Sequence, residues 1–178
     1  LMDNTISKKS LQILKKNSTE LYNNGKKKIV TNLLIVGPLY HNIVETYLIN
    51  DSSDIINIFQ TILLVYLHSC GYFIMHRLMH RNDLFRKYHY FHHQFNTTLI
   101  PSISNSVSIQ EFTLAYMLPF FIGESIVNSN INTFNLAVII VSFMNLVIHT
   151  QELTSIEWNP YFVSPKIHSN HHNKMNNR

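Results

Sequence analysis

The chain has 178 residues and a formal net charge of +4, with 46% of residues apolar and only 13% charged, against about 25% charged in an ordinary soluble domain. It reads as one domain whose membrane character lies in local tracts. One cysteine, Cys70, excludes an intrachain disulfide framework and a cysteine-ligated zinc or iron–sulfur site, and the lack of any GxGxxG or GxxxxGK[ST] loop leaves nucleotide binding without support.

Residues 1–28 form a basic arm with weak helical periodicity in SLQILKKNSTELY, read as a cytosolic surface segment rather than a cleavable signal, because no small-residue cleavage site follows an apolar core. Residues 29–178 are read as a membrane domain. Its first tract, 29–49, has the length of a span but is interrupted by Gly37, Pro38, His41 and Glu45. The second, 55–75, carries no formal charge; NDSSD supplies the turn before it, and Asp54 is the expected N-cap. A third tract, 107–123, is short and contains Gln110, Glu111 and Pro119, which suits a re-entrant segment or one partly inside a bundle. The fourth is 131–148.

The predicted fold is therefore an all-α integral membrane bundle with about four transmembrane helices. Seven of the fourteen Lys and Arg precede residue 29, four lie between 77 and 87, and three follow 165. Four crossings with a cytosolic N-terminus put all of them on one side, leaving Asp51, Asp54 and Glu124 in the outer loops, as the positive-inside rule requires. No nucleic-acid partner is expected from this charge pattern.

That topology brings nine of the eleven histidines together at the cytosolic ends. They are His76 and His80 in HRLMH, His89, His92 and His93 in HYFHH, His149 after the fourth tract, and His168, His171 and His172 in HSNHH. Residues three or four apart share a helix face, so each box can aim its imidazoles at one point. Neutral imidazole suits Fe, Zn, Cu or Ni; nine exceed the needs of one four-coordinate zinc, so two metals are the economical reading. Neither HExxH nor the Glu-x-x-His pairs of carboxylate-rich di-iron bundles occur. Asn145, one turn before His149, is a candidate weak or water-mediated ligand.

The order of HRLMH, YHYFHH, two apolar segments and SPKIHSNHH resembles the membrane-bound fatty acid hydroxylase and sterol desaturase family over roughly residues 55–178. In place of the family's His-Pro-x-Glu element the chain reads SIQE at 108–111, keeping Glu111, and it ends six residues after His172, which reads as a C-terminal truncation. The resemblance implies two iron ions, with zinc possible on isolation, held by these histidines in an endoplasmic reticulum-like membrane. It further implies O₂-dependent hydroxylation or desaturation of a sterol or fatty-acyl-type membrane lipid, with electrons from a cytochrome b5-type donor and its reductase. A di-zinc enzyme of non-redox chemistry, a catalytically impaired metal-binding protein and a metal transporter are the alternatives.

Other residues take structural readings. His41 and His68 have no partner at helical spacing, and His68 is expected to hydrogen-bond across helices. Arg77, Arg81, Arg86 and Lys87 mark the interface, with docking of an acidic electron donor as a secondary role. Asp83 is a turn or cap residue, and Tyr88, Tyr90 and Phe91 are packing. Glu152 and Glu157 are solvated carboxylates unless one orients His149, and Trp158, Tyr161 and Phe162 are expected to form an interfacial belt.

Overall fold

The computed structural model describes residues 5–49, 53–95, 100–157 and 163–174. The helices run α1 Thr5–Asn17, α2 Thr19–Thr31, α3 Gly37–Tyr47, α4 Ile58–Arg81, α5 Asp83–His93, the single turn α6 Ile109–Glu111, α7 Leu118–Val127, α8 Ile131–Ile148 and α9 Pro165–Lys174. No β-strand occurs among the described residues, as an all-α bundle requires.

The helix expected over 55–75 begins and ends later. Asn57, not Asp54, is the N-cap of α4, its side chain accepting from the Gln60 N–H at 3.1 Å. The start is displaced because the preceding segment is strapped to the head of α8: Asn130 Nδ2 donates to the Ile55 carbonyl at 2.7 Å, Asn132 Nδ2 to the Asp54 carbonyl at 3.0 Å, and the Asn57 N–H to Thr133 Oγ1 at 2.9 Å. At its other end α4 continues through the first histidine box. Its 24 residues span about 36 Å at 1.5 Å each, more than a hydrocarbon core of about 30 Å, so His76 and His80 ride on its last two turns.

Two segments widen into π turns, Asn32–Val36 and Phe112–Met117. Each is followed by a proline, Pro38 or Pro119, which lacks an N–H and whose ring would strike the carbonyl four residues back. The wider turn sends the Gly37 N–H to the Asn32 carbonyl and the Leu118 N–H to that of Thr113, five residues back. The first tract thus runs helically from Thr19 to Tyr47 without a break. The third is continuous from Ile109 to Val127 and lies partly inside the bundle, with Glu111, Phe112, Ala115 and Tyr116 buried. Glu124, expected in an outer loop, instead sits buried in α7, where its carboxylate accepts from the N–H and hydroxyl of Ser129 and closes the turn into α8 at the left-handed Asn128.

The core between α3, α4, α7 and α8 is built from Val44, Leu64, Phe120, Phe134 and Ala137. Outward faces are equally apolar: Phe59, Ile62 and Phe73 on α4, Ile126 on α7 and Ile139 on α8 are all exposed. Among the described residues two helices, α4 and α8, are each long and apolar enough to cross a membrane, and little of either is buried inside the bundle. At the end carrying the histidines, the Lys-rich segment folds over the bundle. Leu14 of α1 is buried with Phe95, Ile100 and Ile103, Ser10 Oγ donates to Gln151 Oε1 at 2.7 Å, and Asn32 Nδ2 donates to the Val107 carbonyl at 3.0 Å.

Gly71 is where α4 and the start of α7 touch: a Cβ there would lie 2.8 Å from Pro119 Cβ and 3.1 Å from its Cγ. A rigid ring cannot swing away, and overpacking costs about 1–3 kcal/mol, more than the ~1 kcal/mol that alanine gains over glycine in a helix. Gly71→Ala is therefore expected to lower the thermal midpoint in detergent by several degrees. Gly123→Ala, whose Cβ would meet Leu64 and Leu67 at an ordinary 3.6 Å, should leave it unchanged or raise it.

Candidate metal centre

The first histidine box ends α4, and Asn82 turns the chain directly into α5, its side chain accepting from the Leu84 N–H at 2.9 Å. Asp83 opens α5 as a first-turn residue paired with Arg86 at 3.1 Å and stands apart from the site. This α4–α5 hairpin lays the second box against the first. His149 follows the last turn of α8, and α9 brings the third box alongside. All nine expected histidines converge.

They sort into two groups of four: His76, His80, His89 and His171 in one, and His92, His149, His168 and His172 in the other. Within each group the candidate ligand atoms all lie within 4.8 Å of one another. The doubled histidines explain the sorting. Successive residues point about 100° apart around a helix of 3.6 residues per turn, so the HH pairs diverge. On α9, His168 and His172 serve one group while His171 turns to the other; on α5, His92 serves the second group while its neighbour His93 turns back toward His89 of the first. His93 belongs to neither set but lies between them, its Nε2 2.8 Å from that of His89 and its ring 4.7 Å from the ring of His172.

The facing nitrogens have the spacing of ligands on a common ion. His76 and His171 approach at 3.0 Å, His80 and His76 at 3.3 Å, His168 and His149 at 3.0 Å, and His172 and His168 at 3.1 Å, each through Nε2. Two nitrogens bound at ~2.1 Å would be about 3.0 Å apart at a right angle and about 3.4 Å apart at the tetrahedral angle. Hydrogen bonding among imidazoles does not account for all these contacts. His89 Nδ1–H donates to Glu111 Oε1 at 2.6 Å, and His149 Nδ1–H donates to the Asn145 carbonyl at 2.7 Å. In those neutral tautomers both Nε2 atoms carry lone pairs and no proton. Both nitrogens of His92 are buried with no hydrogen-bond partner, and a cation among its group would satisfy the one that ligates it. The residues present fit two metal ions.

Supporting contacts follow the same logic. Glu111 is fully buried and fixes the tautomer of His89, the arrangement that orients metal-bound imidazoles. Asn145 presents its backbone carbonyl to His149, while its Nδ2 donates to Asn105 Oδ1 at 3.0 Å. Glu157 does not orient His149; it pairs with Lys166 at 2.6 Å on the surface. Trp158, Tyr161 and Phe162 lie outside the described residues. His68 makes the expected cross-helix contact, Nε2 to the Tyr116 carbonyl at 3.2 Å, and His41 meets Asn135 Oδ1 at 2.6 Å, away from the site.

A cavity of about 590 Å³ adjoins the histidines, bounded by α4, α8 and α9 and walled by apolar side chains such as Val65, Phe73, Val141, Met144 and Ile148. It reaches His76, His168 and His171, so it touches both groups.

Burial holds these imidazoles neutral. His149 is pushed down to about 4 by desolvation, and His93 to about 3 by desolvation and then by His171 and His80. His89, His92 and His168 fall well below the usual value through burial reinforced by their neighbours. An unfolded chain protonates the same groups near pH 6.5, so below that pH it binds more protons than the folded one and stability falls as pH falls. Metal ions and protons also compete for the same lone pairs. The thermal midpoint and the bound metal are both expected to drop as pH is lowered from 7 through 4, measured by melting and by metal analysis after gel filtration at each pH.

Searches of curated proteins and of solved structures gave no match to this chain. A family model described as fatty acid hydroxylase matches residues 61–178, a stretch that contains all nine converging histidines, Glu111 and the whole of the cavity wall. The chain belongs to the fatty acid hydroxylase family.

Proposed function

We propose that this protein uses two iron ions and O₂ to oxidise a C–H bond of a membrane lipid. The observation that carries the reading is the pair of adjacent four-histidine groups at the end of an apolar cavity. His76, His80, His89 and His171 would hold one ion. His92, His149, His168 and His172 would hold the other. His93 stands where it could complete the first set, and Asn145 is near enough to the second to act through water. All-imidazole coordination leaves the ions open to redox change, and bound iron would supply O₂ activation and hydrogen abstraction.

The remaining work falls to the chain. Glu111 and the Asn145 carbonyl hold the imidazoles in the ligating tautomer. The cavity walls receive an apolar chain and keep water from the reacting carbon. Hydroxylation balances as R–H + O₂ + 2e⁻ + 2H⁺ → R–OH + H₂O; desaturation of a CH₂–CH₂ unit consumes the same O₂, electrons and protons and releases two waters. The electrons would come from a donor of cytochrome b5 type with its reductase. Four crossings with the basic segments and the histidines on the cytosolic side of an endoplasmic reticulum-like membrane agree with the distribution of Lys and Arg.

Protein purified after expression in iron-supplied cells is expected to carry two irons and to consume O₂ with a reductant and membrane lipids, yielding a hydroxylated or unsaturated product by mass spectrometry. Redox-silent zinc at full occupancy with no lipid product would refute the oxygenase. His168→Ala should retain about half the metal and lose turnover. Glu111→Ala removes no ligand; it should cost about 10- to 100-fold in metal affinity or activity, while Glu111→Gln, which still accepts from Nδ1, should recover part of that loss.

A further inference from the structure

The cavity wall is apolar apart from a few groups, and most of these are already engaged. Ser69 Oγ donates to the Val65 carbonyl at 2.7 Å, His68 Nε2 meets the Tyr116 carbonyl at 3.2 Å, and Asn145 Nδ2 donates to Asn105 Oδ1 at 3.0 Å. Tyr66 and Cys70 face each other at the exposed mouth.

Two polar groups remain deep in the wall, the hydroxyls of Tyr72 and Tyr116. Their rings meet edge-on at 5.2 Å, and Tyr72 stacks on His76 of the first metal group at 5.3 Å and 23°. Tyr116 is 7% exposed, and the hydroxyl of Tyr72 is the neighbour its own hydroxyl meets; when one of the pair donates to the other, one O–H donor is left over. Leaving a buried hydroxyl unsatisfied costs about 1–3 kcal/mol, so the pair is suited to a ligand that supplies an oxygen. Among the described residues the wall contains no Lys or Arg, which disfavours a charged carboxylate or phosphate at this point.

We propose that the Tyr72 and Tyr116 hydroxyls anchor a neutral oxygen function, a hydroxyl or a carbonyl, on the lipid that occupies this cavity, beside the carbon presented to the metal centre. This rests on the reading of the cavity as the lipid site. It makes the two tyrosines specificity-determining: beside a plain hydrocarbon of equal length the two hydroxyls have only each other and one O–H donor goes unused, whereas an oxygenated lipid accepts from it and is fixed in register next to His76.

The test is equilibrium binding of tritiated 1-hexadecanol to the full chain, purified in detergent and loaded with zinc, with unlabelled 1-hexadecanol or hexadecane as competitor. Hexadecanol is expected to compete about 5- to 10-fold more strongly than hexadecane, the worth of one hydrogen bond. Tyr116→Phe and Tyr72→Phe should each shrink that preference toward unity with zinc content and melting temperature unchanged. Equal competition by the two in the unsubstituted protein, or variants that weaken both probes alike, would overturn the proposal. Should Tyr116→Phe fail to fold, the unsubstituted protein and Tyr72→Phe still decide it. Binding is read without turnover, so a protein that oxidises nothing still gives an answer. Lipid oxidation by a protein without the preference removes the anchor and leaves the proposed function standing.

Discussion

Buried imidazole lone pairs facing one another are what the rest of this structure must accommodate. Neutral histidine offers one donor and one acceptor; where several Nε2 atoms converge at 2.8–3.3 Å and two of the rings have already committed their protons to Glu111 and to the Asn145 carbonyl, acceptors outnumber donors. Positive charge between them resolves the conflict, and protons are a poor source of it because burial and mutual repulsion oppose imidazolium. A pair of metal ions would satisfy the geometry and the charge together. The fit extends outward, since the two contacts at Nδ1 come from groups that accept hydrogen bonds and so leave Nε2 free to ligate.

The two groups are not equivalent. Every histidine of the second, His92, His149, His168 and His172, is buried, whereas His76, His80 and His171 of the first are only partly so. The difference follows from position: the second group is enclosed by the ends of α5, α8 and α9, while the first lies at the rim of the α4–α5 hairpin, beside the exposed Arg77, Arg81 and Arg86. Solvent and soluble partners therefore approach the first group more closely. The cavity reaches both, through His76 and His171 on one side and His168 on the other.

Much of this was legible in the sequence because histidine spacing and apolar periodicity are local signals. The i, i+4 pairs within HRLMH, HYFHH and HSNHH state that imidazoles share a face, and convergence of all three boxes with His149 follows once the intervening tracts are helical. What the spacing could not state was the division of each HxxHH box between two groups, which depends on where the partner helices lie. Asp54 is a reasonable cap by composition, but hydrogen bonds from Asn130 and Asn132, more than seventy residues away, hold that segment out of the helix and pass the role to Asn57. Glu111 was visible as the retained acid of SIQE, yet its partner His89 is 22 positions distant. Tyr72 and Tyr116 carried no signal at all, since a tyrosine among apolar residues reads as packing until the wall around it is seen to have spent its other polar groups.

The placement of metal site and cavity follows from one length. Helix α4 is longer than the hydrocarbon core it would cross, so its final turns can carry histidine and arginine at the water boundary while its earlier turns stay in an apolar environment. Ligands placed mid-membrane would have to be desolvated without help; at the helix ends, α5, α9 and the folded-over α1–α2 segment can surround them with protein instead. The cavity runs back from His76 along α4 to Val65, eleven residues or about 16 Å of helix, from the boundary into the apolar belt. Under the proposed function, a lipid from the bilayer would keep its chain in surroundings like those it left and present a single carbon to the histidine groups. The apolar cavity and the polar histidines are thus reconciled by geometry, the histidines standing at the helix ends and the cavity running along α4.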